Sequence, residues 1–161
     1  MPHRLTLIAL MAALAACSPR VQPTEPEAIP EQPMTAAHLA NLIAADGAGH
    51  TVLVLTGPAA PNGLDPVFAG MATGDPGWLA VAPLLRPEVD GEYAEGMADA
   101  LFRALPINPS GVLIALNASG GADELTCEAT DDPTVIAAVE GVTDPALQTV
   151  KAECLEYLRA V

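Results

Sequence analysis

Five times between residues 65 and 145 an Asp or Asn stands directly before a proline: Asp65-Pro66, Asp75-Pro76, Asn108-Pro109, Asp132-Pro133 and Asp144-Pro145. The Asx side chain accepts from the idle amides of a helix's first turn. The proline behind it brings a preset φ and lacks only a donor which that position does not use. Each pair is followed by apolar residues at helical spacing, so the five read as five helix starts. Thr35 reads as the cap of a further helix over Ala36 to Ala45, ending at Asp46-Gly47. Composition agrees, because the 51% hydrophobic fraction comes largely from alanine and there are only two Phe, two Tyr and one Trp. Such a chain favours closely packed helices over a sheet of aromatic and β-branched residues. The expected fold is all-α: short helices packed as a small bundle or superhelix, closed by a C-terminal helical hairpin.

Gly91 to Leu105 carries the clearest helical pattern. Tyr93, Met97, Leu101 and Leu105 form a stripe flanked by Ala94, Ala98 and Phe102, opposite Glu92, Glu95, Asp99 and Arg103. Asp99 and Arg103 make a favourable i,i+4 pair. From Asp144 to Val161 the inward set is Leu147, Val150, Cys154, Leu158 and Val161. The apolar runs Thr51 to Thr56 and Val112 to Leu116 are too short for periodicity to assign. Asn108-Pro109 tips the second to helix. For the first, β-propensity opposes the neighbours, and helix is the expectation with strand as the alternative.

The front of the chain differs in kind. A basic start, Met1-Pro2-His3-Arg4, precedes an apolar run from Leu5 to Ala16. About twelve residues suit a signal peptide, whereas a spanning helix needs about twenty. The run ends in Leu14-Ala15-Ala16-Cys17, which resembles the lipobox of bacterial lipoproteins. That resemblance implies cleavage before Cys17, a diacylglycerol on its thiol and an acylated amino terminus. Ser18 in place of the Asp of inner-membrane retention implies the outer membrane. Each buried methylene of such an anchor contributes about 0.8 kcal/mol. An ordinary cleaved signal with an incidental cysteine is the competing reading. Between Ser18 and Pro33 lie prolines 19, 23, 26, 30 and 33 with Glu25, Glu27 and Glu31. This is a tether, reaching roughly 50 Å in polyproline II conformation at about 3.1 Å per residue. A plain spacer is the simpler reading beside a linear motif. The organisation is thus residues 1–16 signal peptide, 17–33 lipidated cysteine and tether, and 34–161 one helical domain.

From Leu64 onward the chain resembles a group of small exported proteobacterial proteins. The matching residues are Gly74-Asp75-Pro76-Gly77-Trp78-Leu79, a helix ending Ala104-Leu105-Pro106, Asn108-Pro109 with Val112-Leu113, then Cys127, Asp144-Pro145, Leu147, Cys154 and Leu155. That likeness implies an all-helical fold and contributes no catalytic residue. It breaks down at Gly57-Pro58-Ala59-Ala60-Pro61.

With Cys17 lipidated and an oxidising compartment outside, Cys127 and Cys154 remain as a disulfide pair. A redox or metal site is the alternative, but their spacing is no CxxC, and His38 and His50 lie far away in sequence. No phosphate loop, G-x-S-x-G, H-E-x-x-H or EF-hand loop is present. No catalytic residue, cofactor or metal is assigned. His38 in a helix and His50 in a loop read as surface or half-buried residues rather than bases. Glu88, Asp90, Glu92 and Glu95 read as a solvated helix start. Asp123, Glu124, Glu128, Asp131 and Asp132 read as a solvated loop with a cap, weak calcium binding being the alternative. Trp78 reads as core, with a partner-binding hot spot as the sharper alternative.

The formal net charge of −14, from 20 acidic against 6 basic side chains, excludes a nucleic-acid binder and a polybasic lipid contact. Membrane contact would come through the lipid anchor, and a partner would be a basic envelope protein. The expectation is a non-enzymatic binding or scaffold module. An inhibitor of a secreted toxin and an envelope hydrolase working with carboxylates are the alternatives; a concave pocket with convergent polar groups would favour the enzyme.

Overall fold

The computed structural model describes residues 33–60 and 62–160. Cys17 and the proline-rich stretch up to Gln32 lie outside the described residues. Among the described residues there are eight α-helices, two 3-10 turns and no strand. None of these helices is long and apolar enough to cross a membrane.

The first pair, α1 (Ala36–Asp46) and α2 (Ala48–Leu55), is joined by Gly47 alone. Thr35 caps α1, its hydroxyl accepting from the His38 amide at 3.1 Å. Gly47, at φ +84°, closes α1 by donating to the Ile43 carbonyl and opens α2 by accepting from the Thr51 amide. The Thr51-to-Thr56 run is therefore helical. Its buried set Thr51, Val52 and Leu55 follows helical spacing, while Leu53 and Val54 face outward. The threonine hydroxyls fit this helix by donating four residues back, Thr51 to Gly47 and Thr56 to Val52. His50 consequently lies on α2, exposed, and not in a loop.

Four of the five Asx-Pro pairs cap a helical start through the side chain. Asp75 accepts from Gly77 and Trp78 at the head of α4 (Pro76–Leu85). Asn108 accepts from Gly111 at the head of α6 (Pro109–Ala118), and Asp132 from Thr134 at the head of α7 (Pro133–Glu140). Asp144 caps a 3-10 turn, Pro145–Leu147, from which α8 (Gln148–Leu158) continues. Asp65 departs from this pattern. It is the first residue of α3 (Asp65–Ala72), and the cap is Leu64, already in helical conformation with no side-chain cap bond. A turn at residues 62–64 feeds α3 directly, with the Asp65 amide bonded to the Asn62 carbonyl. The aspartate's capping geometry is thereby pre-empted.

The longest helix, α5 (Gly91–Ala104), buries Met97, Ala98, Ala100, Leu101 and Ala104. Alanines 100 and 104 widen the stripe beyond the expected residues, because small side chains let neighbouring helices approach. Tyr93 and Phe102 are half-buried against the core, and Asp99 pairs with Arg103 at 2.8 Å. Rings lie on glycines at two of these approaches. A Cβ on Gly70 of α3 would stand 2.3 Å from the Trp78 ring, and one on Gly96 of α5 would stand 2.9 Å from the Phe68 ring. Trp78 thus packs against the core as a half-buried side chain.

The chain closes as the expected C-terminal hairpin. Leu147, Val150, Cys154 and Leu158 are buried; Val161 lies outside the described residues. Lys151 of α8 donates to the Glu140 and Val142 carbonyls, placing a cation at the C-terminal end of α7 where the helix dipole favours it.

Candidate functional site

The α6–α7 connection, residues 119–132, decides the surface chemistry of the C-terminal half. Gly120 and Gly121, at φ +103° and +127°, turn the chain away from α6. It is then tied to α8 at three places. The Ala122 amide donates to a Glu153 carboxylate oxygen at 3.2 Å, and the Thr130 amide to the Leu158 carbonyl at 3.0 Å. Between them Cys127 and Cys154 form the expected disulfide, with Cα atoms 5.3 Å apart and both residues fully buried.

Held this way, the segment presents Asp123 to Arg86, which follows α4. Asp123 accepts from the Thr126 amide with one oxygen and pairs with the Arg86 guanidinium through the other. Both side chains are about one-quarter to one-third exposed, at 31% and 26%. Burial draws the Arg86 guanidinium below its ordinary range. The pair walls a small slot of about 50 Å³ lined by Val89, Met97, Ala98, Leu101 and Leu125. Ala98 and Leu125 also line an adjoining open groove of about 410 Å³, whose remaining wall is Glu95, Asp99, Glu124 and Glu128. Leu125 stands 57% exposed at this acidic rim. An apolar anchor ringed by carboxylates suits a partner that brings both an apolar side chain and cations.

A second cleft, of about 420 Å³, lies on a different face of α5. Thr56, Asn62, Asp65, Phe68, Glu92 and Tyr93 line it.

The acidic residues near Cys127 do not act as one set. Asp123 is paired with Arg86, Asp132 caps α7, and Glu124 and Glu128 belong to the groove. Among the described residues, no group of three or more His, Cys, Asp or Glu comes together in a way that could hold a metal ion. His38 and His50 are exposed on separate helices. Ser119 donates its hydroxyl to the Ala115 carbonyl, and Ser110 is exposed in the first turn of α6. Sequence reasoning missed Arg86, Leu125 and the second cleft. Arg86 and Asp123 lie 37 positions apart in sequence, beyond the reach of any helical spacing rule. Leu125 carried a signal, as a large aliphatic residue inside an acidic loop. No protein-family model, curated protein or solved structure matches this chain.

Proposed function

We propose that the chain is a lipid-anchored protein on the periplasmic side of the outer membrane. There it acts as a binding or scaffold module for a partner bearing basic groups, without turnover of its own. The charge inventory of the described body carries this reading. Its four Lys and Arg residues are all engaged internally: Arg86 with Asp123, Arg103 with Asp99, Arg159 with Glu140, and Lys151 with two carbonyls. Glu95, Glu124 and Glu128 at the groove make no such pair among the described residues. A partner's cations would complement them. The Cys127–Cys154 disulfide supports an oxidising compartment, and Leu14-Ala15-Ala16-Cys17 supports the anchor.

The anchor is tested by metabolic labelling with a palmitate analogue. Cys17→Ser is expected to abolish label and normal processing, and label persisting in the variant would refute the anchor. The partner is tested by crosslinking and affinity capture from envelopes at graded salt. Capture is expected to fall as the Debye length shrinks from about 10 Å at 0.1 M to about 3 Å at 1 M. It is also expected to fall when Glu95, Glu124 and Glu128 are changed together to glutamine. Capture that is indifferent to both salt and the rim would sink the proposal. Peptidoglycan cleavage lost on one Asp or Glu substitution would replace it with carboxylate catalysis.

A further inference from the structure

The second cleft has its own composition. Asp65 stands in the first turn of α3 and Glu92 in the first turn of α5. Neither carboxylate makes an ion pair among the described residues, and the four Lys and Arg of the body are engaged elsewhere. The Thr56 hydroxyl donates its proton to the Val52 carbonyl, so its oxygen is left to accept. The Phe68 and Tyr93 side chains complete the wall. Phe68 reaches its place because residue 96 has no side chain: a Cβ there would meet the ring at 2.9 Å. The cleft therefore offers acceptors, negative charge and aromatic surface, with no cation among its lining residues.

Each candidate ligand class can be weighed against that lining. An anion would meet two uncompensated carboxylates. A calcium ion takes about six to eight oxygen ligands. The cleft brings together only two carboxylates, short of any metal-holding group of three or more His, Cys, Asp or Glu among the described residues. An aliphatic ammonium satisfies both halves: its charge meets the carboxylates and the rings, and its methylenes lie along apolar surface. At about 420 Å³ the cleft falls within the usual size of small-molecule sites. We propose that this cleft binds an aliphatic ammonium group, with Asp65 and Glu92 as its counter-ions and Tyr93 and Phe68 as its apolar wall. The ammonium belongs either to a free amine or to a lysine side chain of a polypeptide.

Calorimetric titration of the full chain at fixed ionic strength tests this with putrescine, its isosteric diol butanediol, a lysine-rich peptide and calcium chloride. Putrescine is expected to bind saturably and butanediol not to bind. Asp65→Asn and Glu92→Gln are each expected to weaken putrescine about tenfold, the loss of one charge-assisted contact. Tyr93→Leu is expected to weaken it about threefold. Circular dichroism verifies that each variant keeps its helices. Glu156→Gln, at an exposed carboxylate of α8 outside both clefts, is expected to leave putrescine binding unchanged, which separates this site from the general negative charge of the chain. Tighter putrescine identifies a free amine as the source, and a tighter lysine-rich peptide whose binding Asp65→Asn and Glu92→Gln weaken identifies a polypeptide; both support the site. No saturable amine binding, equal binding of the diol, equal loss in Glu156→Gln, or preferred binding of calcium would each overturn it.

Discussion

Changing Cys127 and Cys154 together to alanine is expected to lower the unfolding free energy by about 3.5 kcal/mol. The disulfide spans 27 positions, and closing a loop of that length removes this much chain entropy from the unfolded state. For a body of this size the melting temperature is expected to fall by about 10–15 °C, read by circular dichroism with and without reductant. The effect is local as well as global. The segment carrying Asp123, Leu125 and Glu128 would keep only the Ala122–Glu153 and Thr130–Leu158 hydrogen bonds to α8. Amide exchange at Thr126 should therefore rise more than exchange in α3 or α4. A loss below about 1 kcal/mol would mean that packing, and not the covalent link, holds the segment.

Asn108→Ala is expected to cost about 2–4 kcal/mol, several times the cost of Asp75→Ala at about 1 kcal/mol. Asp75 makes two local bonds at the exposed start of α4. Asn108 makes the equivalent cap bond to Gly111 at 2.9 Å, and its Nδ2 also donates to the Gly74 carbonyl at 2.8 Å. Gly74 is buried and lies in the α3–α4 connection, so one side chain joins the start of α6 to a junction 34 positions earlier. Asn108→Ala removes the cap and strands that carbonyl. Asn108→Asp keeps the acceptor but loses the donor, and should fall between alanine and the natural residue. Chemical denaturation of the three variants provides the comparison. Equal costs for Asn108→Ala and Asp75→Ala would show that the bond to Gly74 contributes nothing.

That asparagine marks the boundary of what the residues disclose in order. Its capping role is legible because caps act over three residues, as for Asp75, Asp132 and Asp144. Its choice over aspartate answers to a carbonyl that only the fold brings near. Asp65-Pro66 does open α3, but the aspartate is not its cap, for the related reason that a preceding turn, invisible to a dipeptide rule, already sets helical backbone at Leu64. The disulfide was legible from parity, since two cysteines remain once Cys17 is set aside. Both grooves were not, because their walls combine α5 with segments far from it in sequence. A carboxylate on a helix start looks the same in the sequence whether it faces solvent or another element.

The ring of Trp78 against Gly70 has an optical consequence. The chain holds one tryptophan, so its emission gauges the α3–α4 joint and is a poor witness to the α7–α8 hairpin. Circular dichroism weighs the eight described helices by their length. The two signals trace one common melting curve only if both ends of the body come apart together. Divergence between them would locate which end lets go first, with no added dye or label.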